Sequence, residues 1–199
     1  MLSILICTYN HANFLERCLN SALGKGEIIV VNDASTDNTL EVLSKFSNQI
    51  KIITNIERKN LLESRKIAFE NCTGDYITFL DDDDILVNPV ITDADITQGK
   101  TASNYPRMTI WFDKYVERKD LKNKRDLDYH MWGKVLKREL IEKVYEQLPM
   151  SFTFMREDYF FMSKAFELAN SYKFVEEVFY YYNYWSGYSH HRELLEKVN

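Results

Sequence analysis

Six glycines and three prolines among 199 residues are scattered singly, so no Gly/Ser linker divides the chain, and no internal repeat or low-complexity segment is present. A chain of this length without a linker is expected to fold as one domain. Three cysteines, Cys7, Cys18 and Cys72, are odd in number and far apart. They do not form a disulfide framework and read as reduced, intracellular thiols. No apolar run approaches the roughly 20 residues that span a bilayer. The N-terminal segment Met1–Asn10 is apolar for only a few residues, and the first basic residue is Arg17. It is expected to be a buried strand and not a signal peptide. The expected location is therefore cytoplasmic, with the inner face of the membrane, reached by peripheral attachment, left open. Excess positive charge is missing too: 25 Lys and Arg against 30 Asp and Glu give −5, which argues against nucleic acid as a partner, since its backbone is held by cationic charge.

What remains is a folded composition, 45% hydrophobic and 28% charged, with a high aromatic share of 14%. The first half alternates short apolar runs with helical spacing, the pattern of βαβ units on a parallel sheet. Leu2–Cys7, Glu27–Val31, Ile50–Ile53 and Tyr76–Leu80 are the expected strands. Helices are expected over Ala12–Leu23, around Leu40, Leu43 and Phe46, and over Leu61–Asn71. Polar residues gather after strands one, two and four, at the carboxyl-end rim where open α/β sheets bind ligands. That rim carries Tyr9, Asn10, Asp33 and the run Asp81–Asp84. The second half is less regular. Strands are expected at Met108–Phe112, Val135–Lys137 and Phe174–Tyr188, helices at Glu139–Gln147 and Glu157–Asn170, and a solvated loop or exposed helix over Asp113–Asp128. Residues 1–88 and 89–199 read as two halves of the single α/β domain.

Four consecutive carboxylates repel one another unless water, protons or a cation relieves them. Mg²⁺ is commonly held by one or two carboxylates plus substrate phosphates, which suits such a run; an acidic loop in water is the simpler alternative. Asp33 can accept hydrogen bonds from a base or ribose, or serve as turn and cap chemistry. Glu157 and Asp158 open a helix, where acidic residues also serve as partners of the helix dipole.

Taken in order, Cys7-Thr8-Tyr9-Asn10-His11-Ala12, Ile29 to Asp37 with Asn32-Asp33 at its centre, Thr73 to Asp84, Trp132 to Arg138 and Glu157-Asp158 resemble the motifs of the family 2 glycosyltransferases. The resemblance implies the GT-A fold, Rossmann-like with a mostly parallel sheet, and inverting transfer of a sugar from a nucleoside diphosphate sugar, UDP-linked by family frequency. It implies as acceptor the hydroxyl of a glycan, a lipid-linked saccharide or another molecule. It further implies that Thr8, Tyr9, Asn10, Asp33 and Arg65 line the nucleotide site, with Asp81 and Asp82 on its ribose or diphosphate side. Asp83, with Asp81, would hold Mn²⁺ or Mg²⁺, the register within Asp81–Asp84 being ambiguous. Asp158 would be the catalytic base, supported by Glu157. Cys7, Asn32 and Asn60 depart from the family's Pro, Asp and Gly. The short interval from Asp84 to Glu157 implies trimmed acceptor-side loops, and the length leaves little room for a processive channel.

More than half of the aromatic residues fall between Phe152 and Tyr188, where they must supply most of the core. Trp132 and Trp185, with Lys134, are the candidates for contact with a sugar or acceptor. His190 and His191 could touch metal or phosphate, or simply face solvent. Two other classes compete: a degenerate domain of the same fold that binds a nucleotide sugar or partner without turnover, and a HAD-type phosphatase. The latter places its D-x-D after the first strand, whereas three βα units precede it here.

Overall fold

A computed structural model describes residues 1–103, 127–149 and 157–183. The expected strand at Met108–Phe112, nearly all of the Asp113–Asp128 segment, and Trp185, His190 and His191 lie outside the described residues. Eight strands form one mixed sheet in the order β3-β2-β1-β4-β7-β6-β8-β5. The first half supplies β1 (Leu2–Thr8), α1 (Ala12–Ala22), β2 (Glu27–Asn32), α2 (Thr39–Ser44), β3 (Lys51–Thr54), α3 (Leu61–Glu70) and β4 (Tyr76–Asp81). These four strands pair in parallel, β1 lying between β2 and β4. The second half adds β5 (Ile85–Leu86), β6 (Ile96–Ser103), β7 (Lys134–Lys137), α4 (Arg138–Gln147), α5 (Glu157–Leu168) and β8 (Tyr172–Tyr182).

The central strands are mostly apolar because both sheet faces are covered, Ser3 and Thr78 being buried exceptions. Alternate residues part accordingly. Leu5, Ile29 and Val31 join one core with Leu62 of α3, Ile141 of α4 and Phe161 of α5. Ile4, Ile6, Ile28 and Val30 join the other with Leu15 and Leu19 of α1, Leu43 of α2, and Phe179 and Tyr180 of β8.

The second half departs from expectation in two ways. The eight-residue β6 has the sequence Ile-Thr-Gln-Gly-Lys-Thr-Ala-Ser, which is too polar to read as a strand, although most of it is buried. Its glycine has a packing reason: a Cβ on Gly99 would come within 2.2 Å of the Phe179 ring. Strand β7 runs antiparallel to both β4 and β6, which reverses the chain direction in mid-sheet. No helix among the described residues is long and apolar enough to cross a membrane.

Candidate functional site

The rim after β1, β2 and β3 is built by backbone groups meeting short polar side chains. The Asp33 N–H donates to the Thr8 carbonyl at 2.9 Å, joining the ends of β1 and β2. Asn10 stands at φ 52°, a left-handed conformation that Asn tolerates. Its Oδ1 accepts the Thr36 N–H at 2.8 Å, while its own N–H donates to Ser35 Oγ at 3.0 Å. Thr8 and Asn10 thus shape the loops. Ala34 also stands at positive φ, 59°, where a Cβ is strained.

Asp33 is buried. Its Oδ1 accepts both Asn55 Nδ2 at 2.7 Å and the Lys59 N–H at 2.9 Å; its Oδ2 has no hydrogen-bond partner among the described residues. The Tyr9 ring lies beneath the Arg58 guanidinium, whose carbon is 3.9 Å from the ring centroid.

Helix α3 starts with a capping box: Asn60 Oδ1 accepts the Glu63 N–H and the Glu63 carboxylate accepts the Asn60 N–H. This cap, worth about 1 kcal/mol, fixes the helix phase that turns Leu62, Arg65, Ala68 and Phe69 inward. Asn60 therefore has a local function where the family pattern carries Gly.

Arg65 is buried with only 4% of its side chain exposed and joins the two halves. Its Nη2 donates to Asp81 Oδ1 at 2.9 Å, and its Nη1 donates to Asp158 Oδ1. The second oxygen of Asp158 accepts the Met131 N–H at 3.2 Å. Burial works against the guanidinium charge, but the two carboxylates outweigh it and raise its pKa. The guanidinium spans the last residue of β4 and the first turn of α5. Burial pushes Asp81 up to about 6, Asp158, Asp83 and Asp82 adding to the effect and Arg65 opposing it. Burial likewise raises Cys7, in register with Asp81, to about 12, so its thiol stays protonated.

The four carboxylates of the run have different surroundings. Asp82 pairs with His11 Nδ1 at 2.8 Å, and that hydrogen bond raises the His11 pKa against burial. The Asp83 carbonyl accepts Arg17 Nη2 at 2.8 Å, which anchors the loop. Asp84 is fully buried and accepts the Tyr180 hydroxyl at 2.7 Å and the Asn183 N–H at 2.6 Å. Burial, with Asp81 and Asp83 nearby, raises its pKa to about 8. The Tyr180 oxygen in turn accepts the Asp81 N–H at 3.1 Å, so β8 clamps the loop and Asp84 lies within that clamp. No group of three or more His, Cys, Asp or Glu among the described residues could hold a metal by itself. The arrangement fits a divalent cation only as Mg²⁺ is often held, by one or two carboxylates with the remaining positions filled by water and substrate phosphate.

In the second half, Trp132 is buried, its ring stacked between His130 at 4.4 Å and Tyr180 at 5.0 Å. Lys134 is fully buried, its ammonium donating to Asp128 Oδ2 at 2.6 Å and to the His130 carbonyl at 2.8 Å. Burial lowers the Lys134 pKa despite that partner. Burial tends to raise Asp128, but Lys134 and the His130 ring outweigh it and hold the carboxyl at about 2. This pair fixes the segment whose Met131 N–H holds Asp158, so Trp132 and Lys134 support the site from beneath. Glu157 is half-buried beside Asp158. The reading of the sequence missed Asp128, His130 and Arg58. Asp128 and His130 precede β7 and meet Lys134 and Trp132 only through the fold, and nothing local marks Arg58.

The family model of glycosyl transferase family 2 matches residues 3–93. Glycosyltransferase GlyA of Streptococcus pneumoniae is 37% identical over 89 residues, 42% of this chain and 13% of that protein. An uncharacterized glycosyltransferase of Haemophilus influenzae is 32% identical over 95 residues, 44% of this chain and 38% of that protein. The chain thus spans less than two fifths of the curated relatives it matches. Among solved structures, TarS of Staphylococcus aureus in complex with UDP-GlcNAc has a TM-score of 0.73 at 20% identity, over 92% of this chain and 58% of that one. The Pyrobaculum calidifontis mannosyltransferase PcManGT, in complex with GDP-Man and Mn²⁺, has a TM-score of 0.65 at 16% identity, over 91% of this chain and 56% of that one.

Proposed function

We propose, from the premise that residues 3–93 are a glycosyl transferase family 2 segment on a GT-A fold, that this chain is an inverting glycosyltransferase. It moves a sugar from a nucleoside diphosphate sugar, UDP-linked, to an acceptor hydroxyl on a glycan or lipid-linked saccharide. The observation that carries the reading is the Arg65 bridge, which ties Asp81, at the end of the nucleotide-side sheet, to Asp158 on the acceptor-side helix.

The nucleobase stacks at Tyr9 and donates to the Oδ2 of Asp33, since Oδ1 already accepts two donors. The diphosphate lies at Asp81–Asp83. The residues there fit a divalent cation, which Asp83 and Asp81 would hold, with water and substrate phosphate completing the site. Mn²⁺ or Mg²⁺ held in that way would supply Lewis-acid neutralisation of the departing phosphate. Asp84 is set apart for structure by its bonds to Tyr180 and Asn183.

Asp158 accepts the proton of the acceptor hydroxyl as that oxygen attacks the anomeric carbon. The bond from that carbon to the phosphate oxygen breaks on the opposite side, its electron pair leaving with the nucleoside diphosphate. One in-line displacement inverts the anomeric centre, and no serine or cysteine nucleophile is needed. General-base help of this kind contributes roughly 10²–10⁴-fold. Arg65 and the Met131 N–H orient the Asp158 carboxylate for that transfer. Both substrates are met on the cytoplasmic side, at the inner face of the membrane when the acceptor is lipid-linked.

The test is nucleoside diphosphate release from UDP-sugars with a panel of saccharide acceptors, the product anomer being read by NMR. Turnover with an inverted anomeric centre is expected, and a retained centre rejects the displacement.

A further inference from the structure

We infer that Arg58 is a nucleobase-binding residue, closing on Tyr9 when the slot is empty and stacking on the base when it is filled. The inference rests on the nucleotide-binding reading of this rim and names a residue that the motifs do not mark.

Three contacts bring the groups together. The Asp33 backbone N–H is tied to the Thr8 carbonyl at 2.9 Å, next to Tyr9. The Asp33 side chain is tied to the Lys59 N–H at 2.9 Å, next to Arg58. The Arg58 guanidinium carbon then lies over the Tyr9 ring, 3.9 Å from its centroid, the range of a cation–π contact. Tyr9, Asp33 and Arg58 therefore converge from the loops after β1, β2 and β3. Asp33 is buried and held by two bonds on one oxygen, with no partner for the other among the described residues. A planar, polar-edged ligand suits this set: two flat faces for the ring and the guanidinium, and an N–H for the remaining carboxylate oxygen.

Arg58 is suited to this position because a guanidinium is planar, permanently charged and weakly hydrated, so it stacks on π-faces where an ammonium does so less well. It is exposed, and so is its neighbour Ile56, at 103%. Residues 56–58, all exposed, thus have little packing to break when the base enters between the Tyr9 ring and the Arg58 guanidinium, while Lys59 and Asn60 stay held by Asp33 and the helix cap. Asn55, which anchors the start of this loop on Asp33, remains buried.

The test is isothermal titration of the full chain, wild type, Arg58→Ala and Arg58→Lys, with UDP, alongside melting temperatures without ligand. The expected result is saturable UDP binding by the wild type, weakened about 5- to 30-fold in Arg58→Ala, with melting temperatures unchanged. Arg58→Lys, which keeps the charge and loses the plane, is expected to bind like Arg58→Ala. Unchanged affinity in Arg58→Ala overturns the inference and leaves the nucleotide reading standing. Full affinity in Arg58→Lys overturns it too, by making the contact one of charge alone. A wild type that binds neither UDP nor GDP overturns both the inference and the reading beneath it.

Discussion

The two halves of this sheet hold their polar residues in different ways. In the first half, parallel strands β2, β1 and β4 end level with one another, and the rim is assembled from neighbouring loops by backbone donors and carbonyls, as between Asp33 and Thr8. On the acceptor side, β7 and β6 run antiparallel, and the segment leading into β7 is fixed by a buried ion pair, Lys134 with Asp128, and by the stack of His130, Trp132 and Tyr180. The first half thus positions chemistry by register and the second by desolvated side chains. Arg65 belongs to the first by sequence and reaches the second through Asp158. A site built in this way should lose catalysis, stability and ligand affinity separately, according to which half is changed.

The largest effect is expected where the halves meet. Asp158→Asn should lower transfer by roughly 10²–10⁴-fold while nucleotide affinity, measured by titration, stays nearly unchanged; retained transfer would remove Asp158 as the base. Next comes the acceptor-side pair. Lys134→Met leaves the buried Asp128 without its cation, and denaturant unfolding should show a loss of about 3–5 kcal/mol. Adding Asp128→Leu should restore much of that loss, since breaking a buried pair costs more than replacing both partners.

A smaller effect follows from the Asp128 pKa. Its folded value of about 2 lies below the ordinary 3.8, so its stabilisation is complete above pH 4 and disappears as pH falls through 2. That amounts to about 2 kcal/mol, and the acid limb of the stability curve should flatten correspondingly in Asp128→Asn. The smallest effect is on the nucleotide side. Ala34→Gly relieves a residue at φ 59° and should raise stability by up to about 1 kcal/mol, with nucleotide affinity preserved. A large loss there would mean that the rim depends on buried side chains as the other half does.

The fold of the first half was legible because its information is local. The βαβ alternation set the strand directions, and an apolar run followed by polar residues located the rim at Asp33 and Asp81–Asp83. The acceptor half was less so. The polar sequence of β6 conceals a strand made necessary by its neighbours, and the pairing of Lys134 with Asp128 depends on a fold that neither residue announces. Trp132 was legible as an important aromatic, but whether its ring meets sugar or core is decided by Tyr180, 48 positions later. Asp84 was similarly indistinguishable from its three neighbours until Tyr180 of β8, and Asn183 just past its end, bonded to it.

The central claim is that the rim joining Asp33, Asp81, Asp83 and Asp158 is one nucleotide-sugar site. Titration of the wild-type chain with UDP-GlcNAc and other UDP- and GDP-sugars, with and without Mn²⁺, tests it most directly. The account predicts saturable binding of a UDP-sugar that tightens with Mn²⁺ and loses that tightening in Asp83→Ala. Absence of binding to every nucleotide sugar, with the metal present, would contradict it.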